Sequence, residues 1–172
     1  DIDQAACNKA KKFDNVNIFC GTLEQAKYVD NFFDVISTYH VLEHVPNPKK
    51  TLVELNRILK PEGTILISLP NFNSFERIMF GKHWRWMEIP RHLFHFNCRN
   101  LSILLQDTGF LVKKITYPDT SLKIVQQLFY RNKNKKINPL VFKFVKYFLS
   151  FPLRKLHFVG SMSFKATKIK NI

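Results

Sequence analysis

The spacing of apolar positions changes twice between Phe33 and Leu69. Phe33-Asp34-Val35-Ile36-Ser37 is nearly continuous in apolar character, as buried parallel strands are. A polar stretch follows, and then Leu52, Leu55, Ile58 and Leu59 recur at the spacing of one helical face. Asn47-Pro48 supplies a cap and a proline at the first helical position, while Pro61 and Gly63 stop the helix. Thr64 to Leu69 reads as the next strand. Two such strands joined through a helix make a parallel βαβ unit.

Weaker signals surround this unit. Gln4 to Lys12 reads as a short helix capped by Asp3, Val16 to Cys20 as a short strand ended by Gly21, and Leu23 to Tyr28 as one or two helical turns. Asn71 to Asn97 is long, aromatic and irregular, and a loop of that length in a compact domain is usually functional. Asn100 to Asp107 is a helix stopped by Gly109, followed by a strand from Phe110 to Tyr117. Residues 121–158 read as a two-helix insertion or lid with a basic, polar break at Asn132 to Asn138. From Ser161 to Lys170, Met162, Phe164 and Ala166 alternate with Ser163, Lys165 and Thr167, the pattern of a final strand. The expected organisation is a partial core at 1–120, a basic amphipathic insertion at 121–158 and a last core strand at 159–172.

Composition changes this picture in one place. The net charge of +14 is almost confined to the last third: residues 120–172 hold 12 Lys or Arg and no acidic residue. That asymmetry points to an anionic partner for the C-terminal third alone. Lys143, Lys146, Ser150 and Arg154 form one helical stripe within 140–155, with Phe142, Val145, Phe148, Leu149 and Leu153 filling the rest. This pattern suits an in-plane helix on an anionic membrane, and equally a lid packed on its own domain. Nucleic acid is the least supported partner, since no RNP, KH or zinc signature accompanies the lysines. Cys7, Cys20 and Cys98 have no metal or CxxC spacing and read as reduced structural thiols. No apolar run approaches ~18 residues, so no spanning helix is expected. The expected location is the cytoplasm, with peripheral contact at the inner membrane face through 140–155.

The polar turn after the first of the two strands, Thr38-Tyr39-His40-Val41-Leu42-Glu43-His44, lies where open α/β sheets bind ligands. Its H-x-x-E-H string occurs on zinc-binding helices of one protease class, but a preceding strand and Pro46 and Pro48 exclude a long helix here. A second polar cluster, Pro90-Arg91-His92-Leu93-Phe94-His95-Phe96, sits in the aromatic loop.

The wording from FDVISTYHVLEHVPNP through LKPEGTILISLP resembles the fourth to fifth strands of class I S-adenosylmethionine-dependent methyltransferases, and FGKHWRW with MEIPRHLFHF is similar to one broad branch with glycan, lipid or quinone-like acceptors. The resemblance implies a Rossmann-like α/β sheet with an antiparallel last strand and a C-terminal helical lid. It implies methyl transfer from S-adenosyl-L-methionine, here to an oxygen of a small lipophilic or glycan-type acceptor. Asp1 would hold the ribose, Thr22 and Leu23 would line the adenine pocket, and Thr38 and Tyr39 would border the methionine end. Thr22 stands where an acidic residue is frequent. His92 would accept the acceptor's proton and Arg91 would clamp a substrate anion. Some ubiquinone-pathway members carry E-x-x-E-H tied to a divalent metal, which implies a metal role for His40, Glu43 and His44, although His40 stands where the first Glu would be.

The resemblance runs from Asp1 to about Pro118 and weakly over Gly160 to Lys168. No G-x-G-x-G turn occurs, and the five glycines are scattered. The expectation is an N-terminally truncated sheet: a fragment of a complete enzyme, or a non-catalytic membrane- or partner-binding remnant of the scaffold.

Overall fold

The structure is a computed structural model, and it describes residues 1–118 and 160–170. The expected insertion at 121–158, with its basic stripe at 140–155, lies outside the described residues. The elements are α1 (Gln4–Ala10), β1 (Phe33–Tyr39), α2 (Pro48–Ile58), β2 (Leu59–Pro70), α3 (Phe75–Phe80), a 3-10 turn (Gly81–His83), α4 (Cys98–Asp107), β3 (Phe110–Thr116) and β4 (Ser161–Lys168). The four strands form one sheet in the order β1-β2-β4-β3. β1 pairs with β2 in parallel, with Tyr39 opposite Ser68, and β4 runs antiparallel to both β2 and β3.

The helix signals act as expected. Asp3 caps α1 by accepting from Ala5 N and Ala6 N, and the Asn47 side chain caps α2 with Pro48 behind it. Leu52, Leu55 and Ile58 point from α2 into a single core with Ile65, Ile67 and Leu69 of β2. Leu101 and Leu105 of α4, with Phe110, Phe164 and Ala166 of the outer strands, complete it. Each fully buried leucine or isoleucine stabilises the fold by about 1.5–3 kcal/mol of transfer free energy. This one-sided core anchors β1 and β2, and therefore the loops that leave their carboxyl ends.

Several boundaries differ from expectation. β2 starts at Leu59, before Pro61 and Gly63, because Leu59 already pairs with Phe33; the extra residues form a bulge, and pairing resumes at Val35 and Thr64. Val16 to Cys20 is not a strand. Among the described residues its ladder-like contacts are to Asp1, whose N donates to the Phe19 carbonyl at 2.9 Å and whose O accepts from Gly21 N at 2.7 Å. A strand is defined by a continuous ladder, and one residue of pairing does not make one. Leu23 to Tyr28 forms a single turn, with Ala26 N donating to the Thr22 and Leu23 carbonyls. The aromatic loop is not wholly irregular: Ser74 Oγ accepts from Arg77 N and starts α3.

Candidate active site

β1 ends in a tight reversal at His40, which adopts a left-handed φ of 53°. A residue with a Cβ takes that conformation at a cost of about 1–2 kcal/mol. Three contacts hold it there. His40 N donates to the Ser68 carbonyl, its ring stacks on Trp86 at 4.9 Å, and its Nδ1 donates to Glu43 Oε1 at 2.8 Å. The reversal turns Leu42 and Glu43 inward, so that a carboxylate is buried just beyond the sheet's carboxyl edge.

The aromatic loop closes over this turn. Its ends meet where Phe72 N donates to the Phe96 carbonyl. Its far side is zipped to the turn by Leu93 N and Phe94 N, which both donate to the Glu43 carbonyl, at 2.8 and 3.2 Å. Glu43, Pro70, Phe72, Trp84, His92 and Phe96 pack closely around a narrow crevice beneath it.

These contacts bring Glu43, His44 and His92 together, with one ligand atom from each within 4.8 Å of the others. His92 is 4% exposed, and its Nδ1 donates to the Trp86 carbonyl at 2.6 Å. His44 Nδ1 donates to the Arg91 carbonyl at 3.0 Å. A carbonyl only accepts, so each ring carries a proton on Nδ1, and in the neutral tautomer Nε2 keeps the lone pair. The His44 and His92 rings meet edge to face at 4.7 Å. Glu43 Oε2 is buried with no hydrogen-bond partner among the described residues. A buried carboxylate oxygen without a partner among the described residues, grouped with two imidazoles, can take part in a proton relay, accept from a hydroxyl donor or hold a cation.

The other expected site residues fall into separate groups. Arg91 contributes its carbonyl to the cluster, but its guanidinium is on the surface, 3.7 Å from Glu88. His40 engages Glu43 and stands outside the three-residue cluster. Asp1 is exposed and its Oδ1 accepts from Asp3 N. Its main chain pairs beside Gly21, which brings Asp1, Thr22 and Leu23 to one corner. Thr22 Oγ1 accepts from Gln25 N, and Leu23 packs against the core. Thr38 Oγ1 is buried with no partner among the described residues, and Tyr39 is exposed beside it. Thr38 and the Asp1 corner offer the kinds of group that face a nucleoside and its tail, so the residues present fit part of the expected cofactor. The sequence reading missed Trp86, which stacks on His40 at 4.9 Å and lies parallel to His92 at 6.3 Å. Its only advance signal was the aromatic density of the loop.

Comparison with known proteins agrees with this fold. A family model described as a methyltransferase domain matches residues 1–115. The chain therefore belongs to the S-adenosylmethionine-dependent methyltransferases of class I. A Mycolicibacterium smegmatis protein named "Probable S-adenosylmethionine-dependent methyltransferase" is 30% identical over 114 residues, 66% of this chain and 42% of that protein. The mitochondrial ubiquinone biosynthesis O-methyltransferase of Dictyostelium discoideum is 31% identical over 87 residues, 48% of this chain and 27% of that protein. The chain thus spans less than half the length of these relatives. Among solved structures, a SAM-dependent methyltransferase from Archaeoglobus fulgidus superposes with a TM-score of 0.64 at 17% identity, covering 98% of this chain and 74% of that one. The [4+2]-cyclase SpnF also superposes, with a TM-score of 0.57 at 19% identity, covering 95% of this chain and 60% of that one. The fold is shared with an enzyme named for another reaction, so the reaction has to be argued from the site.

Proposed function

We propose that the chain carries the acceptor side of an S-adenosylmethionine-dependent methyltransferase acting on a hydroxyl oxygen of a small lipophilic or glycan-type acceptor. The observation that carries this reading is the cluster of buried Glu43 and His92 with half-buried His44 under an aromatic loop, at the carboxyl end of a parallel strand pair. When bound, the cofactor supplies an electrophilic methyl group. The acceptor hydroxyl must be aligned with it and give up its proton. His92, with Nδ1 fixed to the Trp86 carbonyl, accepts that proton at Nε2. Glu43 stabilises the charge that develops on the imidazole. Phe72, Trp84 and Phe96 place apolar aromatic surface beside the cluster, which suits an apolar acceptor. Asp1 accepts from the ribose, Thr22 and Leu23 border the adenine, and Thr38 and Tyr39 border the methionine end.

The test has two stages. Calorimetric titration of the folded chain with S-adenosylhomocysteine gives binding if the residues present suffice for a cofactor site; no binding would mean that these residues are not an enzyme on their own. Transfer of a labelled methyl group is then measured against catechol, quinol and glycan acceptors. A His92→Asn variant loses roughly 10²-fold or more in kcat, the scale of general-base catalysis, with cofactor affinity unchanged. Unchanged kcat would exclude the role of His92.

One observation favours a second reading of the same cluster. Two imidazole lone pairs and an unpaired carboxylate oxygen are a donor set suited to a borderline divalent cation. Glu43, His44 and His92 would hold it, with His40 outside bonding to Glu43, and it would orient and acidify the acceptor hydroxyl. Titration with zinc or magnesium, compared with Glu43→Gln, distinguishes this from proton transfer by His92 alone.

A further inference from the structure

We infer that Cys7 and Cys20 form a reversible, peroxide-sensitive disulfide that ties α1 to the turn beginning at Cys20. The two cysteines lie in different segments, and no motif connects them. The fold brings them together through Asp1. Asp1 N donates to the Phe19 carbonyl and Asp1 O accepts from Gly21 N, which is the bond pair of a parallel register opposite Cys20. α1 starts directly after Asp3 and returns Cys7 to the same place, with its Sγ 3.5 Å from the Asp1 carbonyl oxygen. The Cys7 thiol is close enough to the Cys20 thiol for the two to interact, and that interaction, then burial, push the Cys7 thiol above its ordinary range.

Exposure sets the order of events. Cys7 is fully buried and Cys20 is partly exposed. The Cys20 sulfur therefore meets the oxidant. With hydrogen peroxide as co-reactant, the Cys20 thiolate attacks one oxygen, the O–O bond breaks and hydroxide leaves, giving a sulfenic acid at Cys20. The Cys7 sulfur then attacks the Cys20 sulfur; the S–S bond forms, the S–O bond breaks, and water leaves with the Cys7 proton. In total two thiols and one peroxide give one disulfide and two waters. A small thiol reverses the step by exchange. Cys98 stands apart, at the start of α4 beside Tyr117, and does not take part.

The disulfide would fix Asp1 beside Gly21, at the corner that Thr22 and Leu23 share. That consequence for cofactor binding rests on the proposed function; the disulfide does not. The test treats the native chain with hydrogen peroxide, blocks free thiols and maps peptides by mass spectrometry. A Cys7–Cys20 peptide that has lost two hydrogens is expected in the wild type and in Cys98→Ser. It is expected to be absent from Cys20→Ser and to disappear on incubation with a small thiol. Amide exchange at Cys20 to Leu23 should slow in the oxidised form. A crosslink through Cys98, or sulfinic acid at Cys20 with Cys7 free, would overturn the inference. The mass readout needs neither cofactor nor turnover, so its failure is separate from any failure of the methyl-transfer reading. Cys7→Ala, which preserves the small apolar volume, serves as the second control if Cys20→Ser misfolds.

Discussion

His40 shows how one residue shapes the site. Its left-handed φ, the hydrogen bond to Glu43 and the stack on Trp86 are a local strain held by neighbours on two loops. Two ionisable residues elsewhere, half-buried Tyr117 and buried Lys168, make predictions of opposite sign. Burial, and then a hydrogen bond with Cys98, push the Tyr117 phenol up to about 12 from its ordinary 10. A raised folded value means that the neutral phenol stabilises the fold below pH 10, and that this contribution is lost as pH rises through 12. Absorbance titration of tyrosinate should show one late phenol, absent in Tyr117→Phe. Lys168 is the reverse case. Burial lowers its ammonium below the ordinary 10.5, with Nζ donating to Asn31 Oδ1 and the Leu59 carbonyl. The unfolded chain then binds more protons, so stability contributed at Lys168 rises with pH between the lowered value and 10.5. Urea denaturation over that interval should show this slope, and Lys168→Met should flatten it.

Caps and breakers set the elements. Asn97 and Asn100 form a reciprocal box, each side chain accepting from the other's backbone N–H at 2.9 and 2.8 Å. Asn97→Ala should cost about 1 kcal/mol in urea denaturation, with little change in the slope against denaturant. Because Asn97 directly follows Phe96, the same change should loosen the closing bond from Phe72 N, read as faster amide exchange at Phe72. The βαβ unit and α4 were legible because their apolar spacing, caps and stops agree with one another. α3 was harder to see. It has six residues, too few for a period to emerge, and only Ser74 as a cap with Glu76 in the first turn marked it. The start of β2 was hidden because Pro61 and Gly63 suggest a break, whereas pairing with Phe33 extends the strand across them.

Across the whole molecule, β4 is the strand that joins the sheet. It lies between β2 and β3 although β3 precedes it in the chain, and its Phe164 is 1% exposed in the common core. Phe164→Ala should destabilise the fold by about 3–5 kcal/mol, enough to lose cooperative thermal unfolding in a domain of ordinary stability. Among the described residues, the sheet face opposite α2 and α4 carries exposed Val35, Tyr39 and Leu66. None of the described residues forms a helix long and apolar enough to cross a membrane.

The sequence by itself determined the βαβ unit, the direction of its core face, the alternating last strand and the kinship with methyltransferases. Each of these depends on local spacing, on capping chemistry or on a contiguous string of residues. Tertiary structure alone decided which histidines work together. His44 and His92 are far apart in the chain and meet because Glu43's carbonyl receives two backbone bonds from the aromatic loop. His40, the first residue of the same motif, stays outside that three-residue group and reaches it only through its bond to Glu43 Oε1. Cys7 and the segment around Cys20 are brought together in the same way, through contacts of each with Asp1. Long-range backbone bonds carry no periodicity, so the sequence contains no pattern from which these meetings could be read.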